Sequence, residues 1–257
     1  MSVATKLQTI AENEQRVYEA GKQKGYTEGE AKGREEGIAE GKQAEWSEFW
    51  DSYQENGNRT DYQRAFSGSG WTAQTFRPKY DIILTANNGT HMFRNGNTTV
   101  KMDMSAMKNE LGINIDFSQC TDLQYVFAGS MFSVIDLVDG SNATSFNNTF
   151  YGGYGNCLQR IDRVIITEKC SNFRDCFERN YNLTYIGFEG VIAANGLALR
   201  YCPALEKETF IKLFECLQDK TTDTSGTEWK VTLGSTNLAK LTEEELSIAY
   251  NKGWSVE

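Results

Sequence analysis

The sequence predicts an α/β chain with three parts: a long N-terminal helix, an irregular leucine-rich-repeat β-solenoid and a C-terminal α/β cap. Three observations predict it. Six glycines, Gly21, Gly25, Gly29, Gly33, Gly37 and Gly41, stand at every fourth position in a run otherwise rich in Glu, Lys, Gln, Arg and Ala. Four phenylalanines, Phe93, Phe127, Phe150 and Phe177, punctuate an imperfect repeat in the middle of the chain. Near the end, Thr242 and Glu245 have the spacing of a helix capping box.

Residues 1–45 read as the helix. Leu7, Ile10, Val17 and Tyr18 give its first turns an apolar face, which becomes a glycine stripe from Gly21 onward. Each glycine costs a helix about 1 kcal/mol relative to alanine. Six such costs in regular register suggest a compensating contact, a second helix lying against a groove without side chains. Self-association is therefore the expectation, with a charged, weakly helical tether as the alternative. Residues 46–80 read as an aromatic cap or linker. Trp46, Phe49, Trp50 and Tyr53 fall on one helical face, and Asn56-Gly57-Asn58 signals a turn. An aromatic cluster of this kind can hold a sugar, but a small core is the simpler reading.

Residues 81–205 carry the repeat, and repeats take precedence over local motifs. Cys, Asn or Gly, then two residues, then Leu recurs at Cys120-Thr-Asp-Leu123, Gly155-Asn-Cys-Leu158, Asn180-Tyr-Asn-Leu183 and Cys202-Pro-Ala-Leu205. Short β-like runs accompany it, Val134-Ile-Asp-Leu137 and Val164-Ile-Ile-Thr167. In a leucine-rich solenoid each turn contributes a short strand and an apolar staple, and neighbouring turns bury one another's faces. Residues 206–257 read as the cap. A helix is expected over 206–217, a polar loop over 221–227, a strand through Trp229, Val231 and Leu233, and a last helix ending before Gly253.

The 257 residues have a formal net charge of -9 and a pI of about 4.9. There is no dense Lys/Arg run, which sets nucleic acid aside as a partner. Met1 to Thr9 has no apolar signal-peptide core, and no window approaches a membrane span. The six cysteines include no C-x-x-C pair, and the single histidine is His91. A structural zinc site normally needs closer ligand pairs. Without a secretory signal, reduced buried thiols are expected, three disulfides being the alternative.

The middle of the chain resembles BspA-like leucine-rich-repeat proteins. The tail from Val231-Thr-Leu-Gly-Ser-Thr-Asn-Leu to Asn251-Lys-Gly-Trp254 is similar to the terminal cap of their prophage-encoded members. The head, Lys6-Leu-Gln-Thr-Ile-Ala-Glu-Asn with the glycine ladder, Phe49-Trp-Asp-Ser-Tyr53 and Asn56-Gly-Asn-Arg-Thr60, resembles the N-terminal region of phage structural proteins from gut Firmicutes. The resemblance implies a virion or tail-associated protein, located in the virion or in the cytoplasm of the producing bacterium. Its partners would be itself (a trimer by analogy), other virion proteins, or a host-surface ligand. Secreted BspA-like members act as adhesins, but this chain shows neither signal peptide nor wall anchor. The resemblance carries no catalytic motif.

No enzyme, cofactor or metal chemistry is expected. A hydrolytic triad would require His91, which sits in the turn-rich Asn87-Asn-Gly-Thr-His91. Carboxylates are the remaining route. Asp103, Asp116, Asp136 and Asp162 each follow an apolar residue, and a suitable pair could hydrolyse glycosides or bind calcium. The plainer reading is a set of solvated positions recurring with the repeat. Asn-X-Thr sequons, for example at Asn88 and Asn182, reflect polar loops. A binding surface is the better expectation. Tyr151 and Tyr154 flank Gly152-Gly153, with Tyr181, Tyr185 and Tyr201 following, and tyrosine serves many recognition surfaces. Packing between turns is the alternative. The function expected is non-enzymatic structural recognition. A monomeric cytosolic scaffold and a carboxylate glycosidase are the rivals.

Overall fold

The computed structural model describes residues 12, 45–67, 76–94, 102–130, 132–152 and 157–257, which fall into two units. The six ladder glycines and Tyr154 lie outside the described residues.

The first unit contains 45–59 and 76–80. Residues 45–53 form helix α1. Its aromatic face is buried: Phe49 and Tyr53 stack at 5.7 Å, and Trp50 meets Phe76 edge-on at 5.3 Å. Buried Gln54 holds the returning chain. Its Nε2 donates to the Tyr80 carbonyl at 2.8 Å, and its Oε1 accepts from the N–H groups of Lys79 and Tyr80 at 2.7 and 3.0 Å.

The second unit contains 60–67 and 81–257. Its strands are β1 (Ile82–Ala86), β2 (Met102–Asp103), β3 (Ile115–Cys120), β4 (Phe132–Asp139), β5 (Arg160–Ile166), β6 (Tyr185–Gly190), β7 (Lys230–Val231) and β8 (Ser255–Val256). Its helices are α2 (Met104–Leu111), α3 (Lys207–Cys216), α4 (Ser235–Leu238) and α5 (Glu243–Tyr250).

This arrangement corrects the expected architecture. Among the described residues there is no long N-terminal helix, and the helices are short. The strands do not run through one continuous solenoid sheet. They divide into open parallel sheets, β1-β3, β2-β4-β5-β6 and β7-β8. The physical reason lies at β2. This two-residue strand pairs with β4 at Phe132 and Val134, so that β2 and not β3 takes the edge of β4. Asp103 then leaves the sheet to cap α2, accepting from the Ala106 N–H at 2.9 Å. No helix among the described residues is long and apolar enough to cross a membrane.

Opposite the strands, five tight turns stack in register. Each has the pattern x-x-x-Phe: Tyr62 to Phe66, Gly89 to Phe93, Leu123 to Phe127, Phe146 to Phe150 and Phe173 to Phe177. The residue two before each Phe is left-handed: Arg64, His91, Tyr125, Asn148 and Asp175, with φ between 51 and 60°. His, Asn and Asp tolerate that region better than most residues. An Asx or Ser side chain opens several turns. Asp61, Asp122, Ser145 and Asn172 each accept from the N–H two residues on, at 2.9 to 3.3 Å. The N–H of each turn donates to the carbonyls of the next. Arg64 donates to Thr90, His91 to Gln124, Tyr125 to Asn147 and Asn148 to Arg174, at 2.9 to 3.1 Å. The phenylalanines form a parallel stack beneath this ladder, with ring centroids 5.2 to 5.7 Å apart from Phe66 through Phe93, Phe127 and Phe150 to Phe177.

The C-terminal elements cover the end of the sheet. The Thr209 hydroxyl of α3 accepts the β6 edge N–H of Ile186 at 3.0 Å. Lys252 Nζ donates to the Phe214 and Glu215 carbonyls at the end of α3, at 3.0 and 2.6 Å. Thr242 and Glu245 make both bonds of the capping box on α5. The strand expected from Trp229 to Leu233 shortens to Lys230–Val231.

Candidate binding cleft

The turn ladder stops at its fifth level. At the fourth level, the N–H groups of Phe146, Asn148, Phe150 and Gly152 donate to the carbonyls of Asn172, Arg174, Cys176 and Glu178, at 2.7 to 2.9 Å. The corresponding N–H groups of Phe173, Asp175, Phe177 and Arg179 have no acceptor among the described residues. The next pass of the chain turns elsewhere. Asn180 and Cys202 are equivalent, since each donates to the phenylalanine carbonyl of the level before, the Asn180 amide to Phe150 and the Cys202 thiol to Phe177. Counting back, Leu199 occupies the Phe177 place and Asn195 the Phe173 place. Leu199 donates its N–H onward to Thr232, at 2.7 Å. The Asn195 amide is likewise engaged with the Glu228 carbonyl and the Lys230 N–H, at 2.9 and 2.8 Å. The Asn195 side chain is thus tied to the strand that follows, where the three preceding levels carry Leu123, Phe146 and Phe173, and the ladder opens.

The opening is a concavity of about 370 Å³, toward the small end of the roughly 300–1,000 Å³ usual for ligand pockets. Phe173, Arg174, Asp175 and Glu178 line one wall; Gly196, Ala198 and Arg200 line the other. No N–H among the described residues donates to the carbonyls of Gly196 or Ala198. The charges are balanced. Arg174 lies 3.5 Å from Asp175, and Arg200 sits over the Tyr201 ring at 4.8 Å. Burial pushes the Glu178 carboxyl above the usual range, opposed mainly by the Arg200 charge.

The sequence-predicted residues are distributed as follows. Phe93, Phe127, Phe150 and Phe177 lie in the stack, and Leu123, Leu158, Leu183 and Leu205 are buried beside it. Tyr181 and Tyr201 are exposed, at 53 and 40%. Tyr151 is half-buried under the Arg179 guanidinium, 5.8 Å away. Tyr185 is buried at the start of β6, beneath Arg160, so it packs the sheet instead of presenting a face. Each of the four acids has a partner of its own. Asp103 caps α2 and Asp116 accepts from the Ser118 N–H at 2.8 Å. Asp136 and Asp162 are neighbours across β4 and β5, but Asp136 faces Lys108 at 3.9 Å and Asp162 is paired with Arg160. All six thiols are free. Among the described residues no three His, Cys, Asp or Glu side chains are grouped to hold a metal.

The cleft residues Asp175, Gly196, Ala198 and Arg200 were not foreseen from sequence. The signal was available: aligning the chain on the x-x-x-Phe turns leaves 195–199 as the pass that breaks the pattern. Comparisons of the chain with family models, curated proteins and solved structures give no match.

Proposed function

We propose that the chain is a non-enzymatic recognition protein that holds a partner or host-surface ligand at the cleft between Phe173–Glu178 and Gly196–Arg200. The observation that carries this reading is a ladder paired through four levels that ends on a lined concavity with donors and acceptors unmet. Asp175, Arg179 and Gly196 are exposed, and an exposed row of unpaired backbone groups is a template for pairing with another chain.

The remaining chemistry supports binding over catalysis. Burial holds His91 below its ordinary pKa, and its Nδ1 has no partner among the described residues. Burial also raises the thiols of Cys120, Cys170 and Cys202 to about 12, 11 and 12, away from nucleophilic thiolates. Asp136 and Asp162 each sit beside a cation, Lys108 and Arg160, which suits structural pairing on the strands. The virion or tail setting belongs to the proposal through the sequence resemblance alone.

The test uses the full-length protein, fluorescently labelled, on cell-envelope preparations of gut Firmicutes. Retention that Arg200→Glu abolishes supports the reading. Retention indifferent to Arg200→Glu, or none on any envelope or on purified virions, sinks it.

A further inference from the structure

We propose that the ligand of this cleft is a peptide segment whose main chain enters as the missing rung of the turn ladder. This inference rests on the cleft being a recognition site. Its alternate carbonyls would accept from the Phe173 and Asp175 N–H groups, and its alternate N–H groups would donate to the carbonyls of Gly196 and Ala198.

The pattern of open groups selects this occupant. Phe173 and Asp175 are two residues apart, the same alternation with which Phe146 and Asn148 donate to Asn172 and Arg174 one level below. The facing wall repeats the alternation with acceptors at Gly196 and Ala198, while the intervening Leu197 carbonyl is already taken by the Thr232 N–H at 3.2 Å. Donors on one wall and acceptors on the other, each at every second residue, match a polypeptide backbone. Exposed rows of unpaired backbone groups pair readily with another chain, and several recognition domains bind peptides this way. Charge leaves the choice to this backbone pattern. A free phosphate or carboxylate at these donors would be repelled by Asp175 and Glu178 about as much as it is attracted by Arg174 and Arg200, all four in the lining. Gly196 is left-handed at φ 99°, and a Cβ there would meet nothing within 4 Å, so the entrance is unobstructed.

The experiment selects a random dodecapeptide display library on the full-length protein, with counter-selection on Ala198→Phe, which fills the cleft from its wall. Selected peptides should bind Ala198→Phe weaker by about tenfold or more. N-methylation of the peptide should abolish binding at alternate residues and be tolerated between them. In the unsubstituted protein, the amide resonances of Phe173 and Asp175 should shift downfield on titration, a readout that stands even if Ala198→Phe does not fold. Failure to enrich peptides, an N-methyl scan without alternation, or unmoved Phe173 and Asp175 resonances overturns the proposal. If acetate or inorganic phosphate moves those resonances and no peptide does, the peptide inference falls while the cleft remains a binding site. If envelope retention is also indifferent to Arg200→Glu, both readings fall.

Discussion

At the scale of the residue, the left-handed column decides which side chains can be exchanged. His91 occupies it with φ 60°, stacked on Tyr125 at 4.8 Å. Burial is the main cause lowering its pKa, and the charges of Arg94 and Arg64 lower it further while Asp122 opposes them. A folded-state pKa below the ordinary 6.5 means that the unfolded chain takes up the proton first. The contribution of His91 is therefore fully present above pH 6.5 and is lost as pH falls through the depressed folded value. Asn148 holds the equivalent place at φ 55°, so His91→Asn keeps the backbone. Urea midpoints at about pH 7.5 and pH 5.5 should differ less in His91→Asn than in the parent. Equal differences would show that His91 is not the titrating group. Gly187 is constrained in another way. A Cβ there would collide with the Asp162 carbonyl across β5 and β6. Gly187→Ala should destabilise by about 1–3 kcal/mol, the usual cost of forcing atoms into a packed site. An unchanged urea midpoint would show that the strands relax apart.

At the scale of the element, the phenylalanine stack does what no single strand does, since it runs through levels whose strands belong to different sheets. Phe150 lies near its middle, 5.7 Å from Phe127 and 5.2 Å from Phe177. Phe150→Ala should cost about 3–5 kcal/mol, measured as a loss of unfolding free energy at constant denaturant slope. The cap on α5 is a smaller term: Thr242→Ala should cost about 0.5–2 kcal/mol, read in the same way, and no change would mean that packing alone fixes the helix start. These elements differ in how legible they were. The capping box was readable because its spacing is local chemistry. The β-like runs at Val134 and Val164 fall in β4 and β5 because branched apolar residues suit a buried strand. Phe66 was hidden inside an aromatic segment, although Tyr62 and Phe66 share the spacing of the later turns. The division into three sheets was not readable, because it depends on two residues of β2 reaching β4 before Asp103 turns the chain into a helix. The cleft was unreadable for a related reason: its evidence is a pairing that fails, visible only once the register of the other turns is known.

At the scale of the whole second unit, stacked levels raise the question of whether the cleft divides it into separately unfolding parts. Repetitive architectures behave as chains of nearest-neighbour interfaces, and a weak interface can decouple them. The open side lacks four backbone hydrogen bonds, each with a net contribution of about 0.5–1.5 kcal/mol. Against that deficit, the strand side stays paired: β5 meets β6 from Arg160 opposite Tyr185 to Ile166 opposite Gly190, with one register shift between Ile161 and Val164. Phe177 also meets Phe188 of β6 edge-on at 5.9 Å, and Cys202 is bonded to the Phe177 carbonyl, so the core passes beneath the gap. The paired sheet and the core outweigh four missing bonds, and a single cooperative transition is expected. The buried thiols report on it from both sides of the cleft. Cys170 and Cys176 precede the gap and Cys202 follows it, all three with burial-raised pKa values that suppress the reactive thiolate in the folded state. In a pulse of thiol reagent at about pH 8 across a urea series, Cys170, Cys176 and Cys202 should become reactive together at the midpoint seen by circular dichroism. Reaction of Cys202 at distinctly lower urea than Cys170 would show instead that the open ladder, and not the sheet beside it, governs how this unit comes apart.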